Sequence, residues 1–597
     1  MLSRRRLAIG IFFLHAFVAW TPRAAGAIPV TLYVDRNAPG IIQDGMGWST
    51  AFLRLEDAIA VAVPHKTQIR VAKGTYRPDN GTGDRTRTYH LNTGVVIRGG
   101  YAGHGMTNPN QRDPILFPTI LSGDIGITGE AADNSYRVVT ALGTGEGAVL
   151  NGVTVRDGNA NGAFPNNRGG GVTISNGQHR FEDCRFSFNS GGFGGGADMG
   201  AAADAIFVNC IFSSNVATNN GGAVYTSGSS PTFINCTFLD NSADLSGGAV
   251  SINGGDALLI DCSFSNNAGM IFGGAFHNSS AVSTLINCVF TSNFMLNNLN
   301  VVYDGGGGLY NHSGVVMVYQ SSFLGNVTGD DGAGLFNRNG SMLLERCILR
   351  GNWSADRGGA IYSYGGDLEL RSCSVHANVA AFSAGGLYLV DGDNVVNRST
   401  FVGNRSNGSA GGILNSGGSL SVNSTIFWNN SDTTGSSEPA QLKWLSGLLS
   451  VDYTCMAGWT GVFGGVGNLG SWPAFVNVDG PDGVPGTADD DLRLASDSLC
   501  INAGNPSLYS PPEVVDLDGQ PRVMGCRVDM GAFEFVTGPA GTGDMNNSGT
   551  IDGLDIQGFT QALLGVGPPA YLCVADLNAD QLVDSLDLTI FITLLLP

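Results

Sequence analysis

Two twelve-residue stretches near the C-terminus place oxygen donors in the same order. Residues 544–555 read D-M-N-N-S-G-T-I-D-G-L-D, and residues 576–587 read D-L-N-A-D-Q-L-V-D-S-L-D. Calcium takes six or more hard oxygens, and a loop of this length supplies them from positions 1, 3, 5, 7, 9 and 12. The first loop offers Asp544, Asn546, Ser548, the carbonyl of Thr550, Asp552 and Asp555. The second offers Asp576, Asn578, Asp580, the carbonyl of Leu582, Asp584 and Asp587. Each loop leads into a short apolar segment of helical length, "IQGFTQALLG" and "LTIFITLLL". Solvated Asx turns would account for one acidic loop. Two in register, each followed by a helix, point to a pair of Ca2+ sites. Gln581 stands where a glycine eases the turn at position 6, so the second site is expected to be the weaker.

A second set of carboxylates lies further upstream. Asp304, Asp330 and Asp356 are spaced by 26 residues, with Asp331 and Arg357 adjoining. If that spacing is one turn of a stacked fold, neighbouring carboxylates sit about 5 Å apart and alternate ones about 10 Å apart. Retaining glycosidases hold their pair at about 5–5.5 Å and inverting ones at about 6.5–9.5 Å, so Asp304, Asp330, Asp331 and Asp356 are candidate catalytic residues. Like charges so close also favour a shared cation. Asp before glycine is equally ordinary turn chemistry. Lyase chemistry fits less well, because it needs a basic residue and lysine is almost absent, with only Lys66, Lys73 and Lys443; Arg357 is the basic residue beside the cluster. Parallel to these carboxylates run Tyr310, Phe336, Tyr362 and Tyr388, again at 26-residue spacing and expected to face outward. Such a stripe could lie along a glycan, or simply stiffen the sheet by stacking from coil to coil. A third acidic run, "DGPDGVPGTADDDLRL", carries Asp479, Asp482, Asp489, Asp490 and Asp491, and suits either a divalent cation or a turn-rich loop.

The spacing of 26 pervades the middle of the chain. Cys184, Cys210, Cys236, Cys262 and Cys288 are separated by 26 each. Ser321 follows after 33, a 7-residue insertion, and Cys347, Cys373, Ser399 and Thr425 continue the period. Three residues before this column the side chain is always apolar, from Phe181 to Val422. The residue just before it begins as Asp183, Asn209, Asn235, Asp261 and Asn287, types that tolerate the left-handed backbone of a corner. Five after it stands an unbroken asparagine column from Asn189 to Asn430, suited to an amide ladder. Each unit reads as strand, corner, strand, turn, then a third strand starting at a glycine pair. One unit cannot bury its apolar side alone; stacked units can. The expected fold is all-β, a right-handed parallel β-helix solenoid, with the cysteines as small buried side chains and a small α-helical paired-loop domain behind it.

Motifs within the repeat carry resemblances. The pairing of Phe212–Asn215 with Gly221-Gly222-Ala223-Val224, and of Leu349–Asn352 with Gly358-Gly359-Ala360-Ile361, resembles the repeats of chlamydial polymorphic outer membrane proteins over roughly residues 180–430. That likeness implies a surface adhesin, although no alternating-strand barrel follows it. The flanks, from "LYVDRNA" and "GVVIRGGYAG" to "DLDGQPRVMGCRVDMGAFEF", resemble secreted β-helix proteins of the choice-of-anchor type. The duplicated loops resemble a type I dockerin, which implies a cohesin-like or receptor partner and calcium as cofactor.

The remaining bounds come from composition and the N-terminus. Charged residues make up 13% of the 597-residue chain and the net charge is −20, so nucleic acid is not an expected partner; cations or polysaccharide are. Arg4–Arg6, the apolar run to Trp20 and Ala25-Gly26-Ala27 read as a signal peptide, with no membrane span expected after its removal. The expected organisation is a signal peptide at 1–27, a β-helix at 28–535 with its most regular coils at 181–430 and a terminal module at 436–535, a linker at 536–543, and a dockerin-like domain at 544–597. Cys500 and Cys526 share the terminal module and could pair in an exported protein. The function expected is an exported, extracellular or cell-surface binding or adhesive protein. The alternatives are a polysaccharide-degrading enzyme on the same scaffold and a structural envelope component.

Overall fold

The computed structural model describes residues 30–143, 146–296, 305–506, 515–522, 527–535, 542–546, 548–567, 569–578 and 582–596. The signal peptide, most of the linker, the insertion before Gly305, Asp304, Cys526 and Asp580 lie outside the described residues.

The solenoid is a right-handed parallel β-helix. One coil shows the pattern: Leu335–Arg338, Ser341–Glu345, Ile348–Arg350 and Trp353–Ser354 are its strands. Each pairs in parallel with its equivalent one coil on, as in Leu335↔Ile361, Ser341↔Asp367, Ile348↔Ser374 and Trp353↔Val379. The coil therefore has one short strand beyond the three expected, because the two residues after each ladder asparagine also pair.

Corners fall where expected. The residue before the cysteine column has positive φ in every coil, from 52° at Asp183 to 49° at Ser424, and the third strand follows a glycine such as Gly358 at φ 62°. Its neighbour Gly359 has no room for a side chain: a Cβ there would lie 2.5 Å from the carbonyl of Gly385.

Stacking fills the interior. Phe186, Phe212, Phe238, Phe264, Phe290 and Phe323 form a column with successive ring centroids 4.5–5.1 Å apart and planes within 10°. The cysteine column is fully buried beside it. Each Cys Sγ donates toward a carbonyl of the preceding coil, as Cys210 does to Phe181 at 3.4 Å. The asparagine column is also buried, and each Nδ2 donates both to the next asparagine and to a carbonyl of the preceding coil. Gln441 ends this ladder. Its Oε1 accepts from Asn430 and its Nε2 donates to the carbonyls of Asn430, Ser436 and Ser437. At the other end of the chain, helix Leu55–Val61 packs Leu55, Ala58 and Ile59 into the core beside Leu32 and Val34.

The terminal module does not simply add coils. It makes a small antiparallel pair, Phe475–Asn477 with Asp491–Leu494, packs Phe475, Leu492, Leu494 and Ile501 in one apolar cluster with Val402 and Ile426 of the coils, and returns over the coils. Arg522 donates to Ser372 Oγ at 2.7 Å and pairs with buried Glu534 at 2.6 Å, while Ala532 N donates to Thr400 Oγ1. Cys500 is a free, buried thiol beside Cys455, so the pairing expected for it is not made. Its burial in the module core, rather than at a loop, leaves it packed instead of bridged.

Candidate functional sites

The tail consists of helices Ile556–Leu563, Pro569–Ala575 and Ser585–Leu595; the middle one has no signal in the loop pattern and was not expected. The helices that follow the loops meet through Phe559 and Phe591, stacked at 4.0 Å and 10°. Both twelfth-position carboxylates are fully buried and do the same work. Asp555 accepts from the backbone N–H of Asn546 and of Asp552, tying the start of its loop to the end. Asp587 accepts from Leu577, Asn578 and Asp584 in the same way. Asp544 turns inward and accepts from Ser548 and Gly549. The donors are all oxygen, and the loops are folded around their carboxylates, so the residues present fit calcium. Asp544, Asn546, Ser548, Thr550, Asp552 and Asp555 would hold one ion, and Asp576, Asn578, Leu582, Asp584 and Asp587, the described donors of the second loop, would hold another; each ion would neutralise carboxylates that otherwise repel.

On the solenoid, Asp330, Asp331 and Asp356 each present a carboxylate oxygen within 4.8 Å of the others. Adjacent coils bring them together: Asp356 N donates to the carbonyl of Asp330, and Arg357 N to Asp331 Oδ1 at 3.0 Å. Arg357 lies 3.8 Å from Asp356 and over the rings of Phe382 and Tyr388. Burial works against its charge, but Asp356 and Asp331 outweigh that and raise its pKa.

The aromatic stripe differs from expectation. Tyr310, Phe336 and Tyr362 point away from the coil interior, yet they are 1%, 0% and 2% exposed; only Tyr388 is half-buried. The turn segments that precede each glycine pair fold over them: Phe272 packs on Tyr310, and Asp331 and Arg357 lie against Tyr362. They form a second small core, not an open platform. Burial, with Asp331 next, pushes the Tyr362 phenol well up.

A second buried amide column escaped the sequence reading. Asn278 Nδ2 donates to Asn311 Oδ1 at 2.8 Å, and Asn311 to Asn337 at 2.9 Å. Its signal was present in the same spacing, 33 and then 26, in the strand after the glycines.

Residues 142–327 match the right handed beta helix region family, and residues 542–596 match the Dockerin type I domain. The first match agrees with the coils described above, whose fold is a right-handed parallel β-helix. The chain carries a dockerin type I domain at its C-terminal end, a domain class that binds calcium in general. No curated protein matches it. Among solved structures it is similar to pectate lyase Pel9A (14% identity, 85% of this chain and 97% of that one, TM-score 0.24). It is also similar to a rhamnogalacturonan lyase (14% identity, 78% and 97%, TM-score 0.32). A third likeness is PfbA, a surface adhesin of Streptococcus pneumoniae (10% identity, 64% and 88%, TM-score 0.27). At these identities and scores the likenesses carry no argument about function.

Proposed function

We propose that the protein is an extracellular or cell-surface β-helix that binds polysaccharide or a surface ligand and is attached through its calcium-loaded dockerin domain to a cohesin-like partner. The observation that carries this reading is the repeated use of a buried carboxylate, Asp555 and Asp587, to close two oxygen-rich loops in a segment that matches Dockerin type I. A domain of that kind serves attachment, and the stacked coils give it a long rigid body to display. Because Tyr310, Phe336 and Tyr362 are covered, ligand contact falls on other surfaces of the coils. The test is capture of the full chain on a panel of immobilised cohesins with calcium and with EDTA, joined to a glycan array. Capture that depends on calcium and is lost in Asp544→Ala with Asp576→Ala supports the reading; capture indifferent to both removes it.

A second reading rests on the carboxylates of Asp330, Asp331 and Asp356, whose 4.8 Å grouping fits either glycoside hydrolysis or a shared cation. Reducing-sugar and unsaturated-uronide assays on any array hit separate these. Turnover that disappears in Asp330→Asn or Asp356→Asn, with binding kept, would make the protein an enzyme, since such groups act on the transition state.

A further inference from the structure

The first coils hold a pocket that neither the dockerin loops nor the coil carboxylates use. It lies beside helix Leu55–Val61, between Arg54–Glu56 and the strands Gly74–Tyr76 and Tyr89–His90, and has a volume of about 210 Å3. Arg36, Arg54, Arg77 and Asn80 are exposed around it, while Tyr76 and Tyr89 are buried. Two polar groups here lack what burial demands. Tyr89 is 1% exposed and its hydroxyl has no partner. Glu56 Oε1 and Oε2 are both buried, and neither accepts a hydrogen bond. Buried polar atoms are met by protein, water or ligand almost without exception, and a lone carboxylate is the costliest to leave unmet. The neighbours are partly committed. Tyr76 donates its hydroxyl to the Ala72 carbonyl at 3.0 Å, so its ring is what it offers the pocket. Arg36 Nη1 donates to the Thr75 carbonyl at 2.7 Å and Arg77 donates to Asp124, bonds that anchor each guanidinium and leave other N–H groups over.

We propose that this pocket binds one neutral sugar ring, through hydroxyls that donate to Glu56 and accept from Tyr89 and the arginines. The inference deepens the polysaccharide-binding part of the function proposed above and rests on it. Carboxylate oxygens only accept, guanidinium N–H groups only donate, and a phenol does either. A ligand of one polarity satisfies half of such a wall. A cation meets three arginines there, and an anion meets Glu56. A hydroxyl donates and accepts at once, and a sugar ring presents several side by side. Size agrees, since drug-sized ligands fill about 300–1,000 Å3 and this smaller volume suits a single ring. Burial, with Glu56 next, holds the Tyr89 phenol well above its ordinary value, so it keeps its proton to donate. Burial also raises the Glu56 carboxyl, with its own backbone, Arg54 and Asn80 opposing.

The experiment uses the full chain in calcium and saturation-transfer NMR. D-glucose, D-galactose and D-mannose are each titrated, with D-glucuronate and D-glucosamine as charged counterparts. At least one neutral sugar is expected to saturate the wild type and raise its melting temperature, and the charged sugars to bind less tightly. Glu56→Gln and Tyr89→Phe keep the shape of the wall and should each weaken the neutral sugar by about threefold to tenfold. Tyr89→Phe deletes a hydroxyl that meets no protein group, so without sugar it should melt no lower than the wild type. That separates a lost contact from a lost fold. A wild type that binds none of the three sugars, or variants that bind as well as it does, overturns the pocket and leaves Glu56 and Tyr89 bridged by water. Tighter binding of either charged sugar overturns the ligand class. Glycan-array hits that survive both variants would remove this site while the wider polysaccharide reading stands.

Discussion

Asn326 shows what one side chain does in a coil. Its Nδ2 donates to the Phe290 carbonyl and to Asn352 Oδ1, both at 3.0 Å, and its Oδ1 accepts from the N and Nδ2 of Asn293. Asn326→Ala removes all of these and strands buried groups in two neighbouring coils. Unmet buried groups cost about 1–3 kcal/mol each, so urea unfolding should show a loss of at least about 3 kcal/mol. A loss below about 1 kcal/mol would mean that water replaces the ladder. The cysteine column makes the opposite prediction. Cys236 is 1% exposed and its column already contains Ser321 and Ser399, so Cys236→Ser should be mild, whereas Cys236→Trp overfills the core and should sharply reduce folded yield. Similar yields from the two variants would place this column outside the packed interior. Both columns were legible because period and residue type say the same thing. The burial of Tyr310 and Tyr362 was not, because alternation along a strand tells only that a side chain leaves the coil interior. Whether it then meets water depends on turn residues such as Phe272 and Arg357, which the strand pattern does not describe.

At the scale of elements, the returning terminal module carries a buried charge group that should make its docking sensitive to pH. Glu534 is raised to about 7 by burial, against the opposing Arg522, and Asp529 is pushed well up by burial and by Glu534. Arg522 and Arg398 face them from the module and the coils. Between pH 4.5, the ordinary value of the glutamate, and about 7, the folded state binds more protons than the unfolded one. Stability from this group therefore falls as pH rises through that window. The Glu534→Gln variant, which mimics the protonated side chain, should gain on wild type in melting temperature from pH 5 to pH 8. A constant difference would contradict the reading. His277 and His376 act in the other direction. Burial lowers each from 6.5 to about 3, so both cost stability as pH falls below 6.5, and the variant comparison is what isolates Glu534. The module's path over the coils was not legible in the sequence. Arg522 and Ser372 meet across 150 residues, and no local pattern encodes that contact.

For the whole molecule, the coils and the tail are stabilised by different means. The coils depend on neighbours stacked above and below, through apolar columns and amide ladders that need no ion. The tail has a small core around Met545, Phe559, Ala562, Val574 and Phe591, and loops whose carboxylates converge. The two flanking helices were legible because each follows a twelve-residue stretch with the same order of oxygen-bearing side chains; helix Pro569–Ala575 lies outside that pattern. The central claim is that calcium holds this tail in the form that attaches the β-helix to a partner. Hydrogen exchange of the full chain, read peptide by peptide in calcium and in EDTA, tests it most directly. Helices Ile556–Leu563 and Ser585–Leu595 should be protected in calcium and exchange freely in EDTA or in Asp544→Ala with Asp576→Ala, while the coils from Val172 to Val422 exchange alike throughout. Equal protection of the two helices with and without calcium would contradict the account.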